Sequence, residues 1–151
     1  MKKLVVFYSR SGNTQKVALE IARSLRADVD EIIDLKDRTR KIIGWLIAGK
    51  DASQKKLTEI KFKKDPKNYD LVIIGTPIWA WTMTPAIRTY LSKNKIKKVA
   101  FFSTAGSRKN KAFEEMAKLS KRPVATCCIE ERDIKANRYK ESIKEFCDEL
   151  K

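Results

Sequence analysis

Short apolar runs alternate along the chain with stretches in which apolar residues recur every three or four positions. The first run, Leu4 to Tyr8, is continuous, as expected of a strand covered on both faces. After a polar loop, Val17, Ala18, Ile21, Ala22 and Leu25 recur at helical spacing and predict an amphipathic helix over residues 13 to 26. Further strand-like runs follow at Val29 to Ile33, Leu71 to Gly75, Val99 to Ser103 and Val124 to Ile129. Thr84 can cap a helix with Pro85 at its first position, and Ile87, Tyr90 and Leu91 supply its buried stripe. Ala112, Phe113, Met116 and Ala117 mark another helix, and Tyr139, Ile143, Phe146, Cys147 and Leu150 a closing one. Five strands with helices between them are therefore expected. Only the segment from Lys36 to Lys67 departs from the alternation: Ile42, Ile43, Leu46 and Ile47 at helical spacing precede a lysine-rich stretch, which reads as one helix plus a long loop.

Strands alternating with helices imply a parallel sheet whose right-handed crossovers put helices on both faces. The expected fold class is thus α/β, a three-layer, doubly wound, five-stranded parallel sheet. With 151 residues and no repeat or linker, residues 1 to 151 are expected to form one domain. No apolar run approaches the roughly 18 residues that span a bilayer, and Leu4 to Tyr8 is too short for a secretory h-region. The expectation is a soluble, cytoplasmic protein without membrane insertion.

Composition narrows the chemistry. There is no histidine and no CxxC, which argues against zinc sites and histidine acid–base catalysis. The three cysteines, Cys127, Cys128 and Cys147, fall in a strand interior and on an apolar helix stripe, and read as packing residues in a reducing compartment. Thirty-four Lys plus Arg against nineteen Asp plus Glu leave a net charge of +15. Such a surface could attract nucleic acid, acidic proteins or anionic membranes. The basic groups are scattered through several loops without a reader motif, so a solvated surface is the preferred reading over nucleic-acid binding.

In a doubly wound sheet, ligands bind outside the carboxyl ends of the strands, where the strand order reverses. Three loops leave such ends. Ser9-Arg10-Ser11-Gly12-Asn13-Thr14 is rich in hydroxyls and runs directly into a helix, whose N-terminal amides and positive dipole end make an anion site. The triphosphate motif GxxxxGK[ST] and the dinucleotide fingerprint GxGxxG are both absent. Ser9 and Thr76 stand where a phosphoryl-accepting receiver would carry aspartates, and the first loop lacks the cysteine of a thiol phosphatase. What remains is a terminal monophosphate held by neutral donors. The second loop, Thr76-Pro77-Ile78-Trp79-Ala80-Trp81-Thr82, offers two tryptophans that would cover a flat ring, and Ser103 to Ser107 adds further hydroxyls. A phosphate, a polyol and a planar heterocycle together describe flavin mononucleotide, FMN.

The motifs Ser9-x-Ser11-Gly12-Asn13-Thr14, Gly75-Thr-Pro-Ile-Trp79 and Ser103-Thr-Ala-Gly106 resemble the phosphate signature and the two ring-binding loops of the flavodoxin family. The likeness extends over the whole chain and is of the short-chain kind, lacking the long insertion in strand five. It implies strand order 2-1-3-4-5, which comes from the family and not from periodicity. It also implies that Ser9, Arg10 through its backbone, Ser11, Gly12, Asn13 and Thr14 hold the phosphate. Thr76, Pro77, Ile78 and Trp79, with Ala80 and Trp81 beside them, would line ribityl and ring, and Thr104, Ala105, Gly106 and Ser107 would reach the pyrimidine edge. No catalytic side chain and no metal is expected, because the flavin carries the redox chemistry.

Two departures from typical acidic carriers bear on function. Arg108 and Lys109 follow the third loop, where positive charge would favour the anionic reduced ring, and that loop lacks the aromatic many carriers stack on the flavin. The favoured function is an FMN redox protein passing electrons to protein partners, acidic ones included. The alternative is an FMN-dependent oxidoreductase using NAD(P)H and a quinone or similar acceptor, and the remote third is nucleic-acid binding.

Overall fold

The computed structural model describes residues 1–36 and 48–151. The helix expected through Ile42, Ile43, Leu46 and Ile47 lies outside the described residues. Five strands form a parallel sheet: β1 (Lys3–Phe7), β2 (Asp28–Glu31), β5 (Leu71–Trp79), β7 (Val99–Ala105) and β8 (Thr126–Glu130). Their spatial order is β2-β1-β5-β7-β8, which is 2-1-3-4-5 when only these five are counted. The connecting helices are α1 (Asn13–Leu25), α2 (Pro85–Lys93), α3 (Ala112–Leu119), α4 (Glu131–Lys135) and α5 (Lys140–Glu149), and residues 48–53 are also helical. None of the described helices is long and apolar enough to cross a membrane.

The sheet is apolar on both faces, and alternate residues of each strand feed two cores. Val5 and Phe7 of β1 join Val17, Ile21 and Leu25 of α1 and Ile143 and Phe146 of α5 on one side. Leu4, Val6 and Tyr8 join Ile87, Tyr90 and Leu91 of α2 and Met116 of α3 on the other. Thr84 caps α2 as expected, accepting from the Ile87 amide, with Pro85 at the first position.

The structure corrects three expectations. The second strand ends at Glu31, and Ile33–Asp34 (β3) leave the sheet to pair antiparallel with Ile60–Lys61 (β4). The supposed long loop therefore contains a strand, and a 3₁₀ turn at Pro66–Asn68. It is tied down by buried Asp30, whose Oδ2 accepts from the Lys63 and Lys64 amides at 2.8 and 2.6 Å. The third parallel strand does not stop at Gly75 but runs to Trp79, then reverses into Thr82–Met83 (β6), with Trp79 opposite Thr82. The last strand is displaced, spanning Thr126–Glu130 and not Val124 to Ile129; ahead of it the Val124 amide donates to Val99 O and Ala125 O accepts from the Phe101 amide, one bond each to β7.

Gly75 stands in the centre of the sheet because the Phe102 ring from the neighbouring strand fills the space a side chain would take. A Cβ built there would lie 2.0 Å from Phe102 Cζ. Gly75→Ala is expected to lower stability by about 2–3 kcal/mol through overpacking, measured by urea denaturation. Replacing Phe102 with leucine in the same chain should recover part of that loss.

Candidate functional site

The carboxyl ends of β1, β5, β7 and β8 converge at one edge of the sheet. After β1 the chain turns through Gly12, whose φ of 97° lies in the left-handed region that only glycine adopts at no cost. Ser9 Oγ accepts from the Gly12 and Gln15 amides at 3.1 and 3.2 Å. It thereby takes over the capping that Gly12, at the N-cap position, cannot supply with a side chain. The first turn of α1 contains no acidic residue, so the dipole end of the helix is unopposed there. Thr14 is buried, and its hydroxyl meets that of Thr104 at 2.7 Å, joining the first loop to the end of β7.

The hairpin β5–β6 presents the second set of residues. Trp79 is half-buried, meets Tyr8 edge to face at 5.5 Å between centroids, and carries the Arg10 guanidinium 5.9 Å from its ring centroid. Arg10 thus reaches across from the first loop to the aromatic of the second, a cation–π contact that the sequence spacing does not reveal. The Thr76 side chain is fully buried and faces α2; its hydroxyl donates to Pro77 O at 2.8 Å and accepts from the Thr84 amide at 3.2 Å. Ala80 and Trp81 form the two-residue turn with φ of 48° and 70°, and Trp81 is 63 % exposed.

A cavity of about 350 Å³ opens between these loops, lined by Arg10, Ser11, Pro77, Ile78, Trp79, Thr104 and Glu131. Ser9 and Gly12 belong to the same loop as Arg10 and Ser11, and Asn13 opens α1 directly after it. Thr14, Thr76 and Ala105 are buried behind the cavity, whereas Ala80, Trp81, Gly106 and Ser107 are exposed beside it. Ser107 Oγ accepts from the Lys109 amide at 3.2 Å, turning the third loop back on itself. Glu131 had not been expected. It opens α4 directly after β8, so its signal was the carboxyl end of the fifth strand, a fourth loop that by the same topological rule belongs to the site. Arg108 is less dominant than its position suggested, because its Nε lies 3.3 Å from Glu130 Oε1.

A second polar group lies buried behind the hairpin. Glu115 Oε2 accepts from Arg88 Nη2 at 2.9 Å and from the Thr82 hydroxyl, while Oε1 faces Lys55 Nζ at 3.6 Å and Lys111 Nζ at 3.5 Å. Burial alone would push the Glu115 carboxyl up, but hydrogen bonds from Thr82 and Arg88 and the charges of Lys55 and Arg88 outweigh it and hold it at about 2. Cys127 and Cys147 pack in the core, whereas Cys128 is partly exposed. All three are free thiols, Cys127 and Cys147 are buried, and burial pushes the Cys127 thiol up to about 12.

Fold and edge together define an open, doubly wound α/β protein with a loop-built cleft at the point where the strand order reverses. The chain belongs to the flavodoxin family: the family model for flavodoxin matches residues 2–150. Among solved structures, a candidate flavoprotein from Bacteroides uniformis ATCC 8492 superposes with a TM-score of 0.81 at 22% identity, covering 97% of each chain. A flavoprotein from Lactobacillus acidophilus NCFM, solved in complex with FMN, gives a TM-score of 0.71 at 24% identity over 89% of this chain and 97% of its own. The two-electron reduced flavodoxin of Megasphaera elsdenii gives 0.60 at 14% identity, over 97% and 99%. These likenesses establish a shared fold. No curated protein matches the chain by sequence.

Glu115 makes acid sensitivity predictable. Its carboxyl is lower in the folded chain than its ordinary 4.5, so its contribution to stability is complete above that value and is lost as pH falls toward 2. Urea denaturation of wild type and Glu115→Gln should diverge in pH slope, the variant having the shallower loss of stability below about pH 4.5. Equal slopes would assign the acid transition to other carboxylates.

Proposed function

We propose that this protein binds FMN without a covalent bond and works in the cytoplasm as a redox protein that passes electrons to and from protein partners. The observation that carries the reading is the meeting, in one cleft, of an acid-free helix N-terminus with the aromatic face of Trp79. Family membership and the FMN complex of the Lactobacillus acidophilus structure support it. The donor set fits the group: hydroxyls and amides from Ser9, Arg10, Ser11, Gly12, Asn13 and Thr14 suit a phosphate dianion, with no carboxylate in that loop. Thr76, through its backbone, Pro77, Ile78 and Trp79 would hold the ribityl chain and ring, with Ala80 and Trp81 at their margin. Thr104, Ala105, Gly106 and Ser107 would reach the pyrimidine edge.

Bound flavin supplies the one- and two-electron chemistry. The chain's residues bind and orient it. Ser9 would exchange its contacts with the Gly12 and Gln15 amides for a shared hold on the phosphate. Arg10, stacked on Trp79, would place positive charge at the cleft and draw the flavin potential upward. The net charge of +15 favours an acidic redox partner.

A second reading has its own observation. The third loop from Ala105 to Lys111 carries no aromatic, and Gly106 to Lys109 are exposed, so nothing in that loop covers an outer ring face. That openness suits an FMN-dependent NAD(P)H:quinone-type oxidoreductase, in which both substrates visit one face in turn.

Purified protein should be yellow and release FMN on denaturation, and a chain that fails to take up added FMN would refute the flavin reading. Stopped-flow mixing of the loaded protein with NADPH or NADH separates the two roles: slow or no bleaching marks the carrier, and bleaching within seconds marks the oxidoreductase. Trp79→Ala is expected to weaken FMN binding by about 1–3 kcal/mol, the value of one stacked, half-buried aromatic, as measured by quenching of flavin fluorescence.

A further inference from the structure

The buried cluster around Glu115 lies outside the cleft, yet it is fastened to two of the loops that frame it. One carboxylate meets a hydroxyl from β6, a guanidinium from α2, an ammonium from Lys55 just after the helical residues 48–53, and an ammonium from Lys111 at the start of α3. Thr82 is the β6 residue opposite Trp79, so Glu115 holds the closing pair of the hairpin. The Lys111 amide also donates to Trp81 O at 2.9 Å, a second tie between the third loop and the turn.

The turn needs such ties. Ala80 and Trp81 both adopt left-handed φ, and neither is the glycine or asparagine that makes a two-residue turn of this kind comfortable. Each such residue carries local strain, which persists only where the surroundings over-determine it. A buried Arg–Glu pair is a poor source of net stability compared with apolar packing, and its best-attested use is to fix register. Here the pair sits where register matters: it sets where the hairpin end, with Trp79 on one side and Trp81 at its tip, stands relative to the loop from Gly106 to Lys111.

We propose that Glu115 is a positioning residue for the candidate flavin site, clamping the Trp79–Thr82 hairpin and the loop before α3 into one unit through Thr82, Arg88 and Lys111. The clamp rests on the flavin reading for its role in binding, but its mechanical part does not. Thr82→Val is the sharper probe, since it removes the hydroxyl link while leaving the Arg88–Glu115 pair intact and a β-branched residue in the strand. Glu115→Gln tests the charge itself.

Protein labelled with 5-fluorotryptophan gives one ¹⁹F resonance for each of its three tryptophans, with that of Trp81 assigned through Trp81→Phe. In the apoprotein, Thr82→Val and Glu115→Gln should broaden the Trp81 resonance or move it toward that of free 5-fluorotryptophan. In both variants the Kd for FMN should rise about tenfold, as loss of one hydrogen bond to a charged group implies. Ile143→Val, which trims the opposite core, should lower stability without moving that resonance, separating positioning from general destabilisation. An unchanged Trp81 signal in both variants overturns the clamp. A moved signal with unchanged FMN affinity refutes its role in the site. If the wild type binds no FMN, the flavin reading fails and the apoprotein resonance alone decides whether the clamp exists.

Discussion

Parallel pairing of β1 with β2 on one side and β5 on the other is the constraint from which the site descends. Parallel strands need crossovers, and right-handed crossovers send α1 to one face and α2 to the other when the chain reverses its direction of travel across the sheet. The loops after β1 and β5 therefore diverge and leave a crevice between them, at the same edge to which β7 and β8 deliver their carboxyl ends. Continuous apolar runs are the prerequisite, since both faces of each central strand are buried. Where two side chains would compete for one place in that sheet, Gly75 yields to Phe102.

Polar contacts then knit the loops above this scaffold. The paired hydroxyls of Thr14 and Thr104 link the start of α1 to the end of β7. Arg10 crosses to Trp79, and Glu115 gathers the cations behind the hairpin. Lys36 and Lys56 pair with buried Asp51, but the fully exposed lysines contribute little of this kind. Exposed pairs such as Lys97 with Asp70, 4.0 Å apart, are screened by solvent and add little to stability. Excess positive charge therefore adds little to the fold, which is set by burial and backbone pairing.

The strands and helices were legible wherever periodicity was strong and burial two-sided. The run at Leu4 and the stripe from Val17 to Leu25 identified β1 and α1, and Thr84-Pro85 placed the start of α2. The hairpin at Ala80 and Trp81 was illegible because its turn lacks the residues that advertise left-handed backbone; distant contacts with Glu115 and Lys111 enforce it instead. The pairing of β3 with β4 was hidden for a related reason. Two-residue strands carry no period, and the segment holding β4 is anchored by its amides to Asp30, more than thirty positions away.

By itself, the sequence determined the class of fold, the family and the loops that frame the cleft, because apolar runs, helix caps and a hydroxyl-rich turn are local patterns with local causes. Tertiary structure decided which members of those loops share a cavity. It turned the Thr76 hydroxyl inward to α2, left Trp81 at an exposed tip, laid Arg10 on Trp79 and brought Glu131 into the cleft. Those outcomes depend on which face of a strand a residue occupies and on what crosses from another element. Spacing along the chain carries neither.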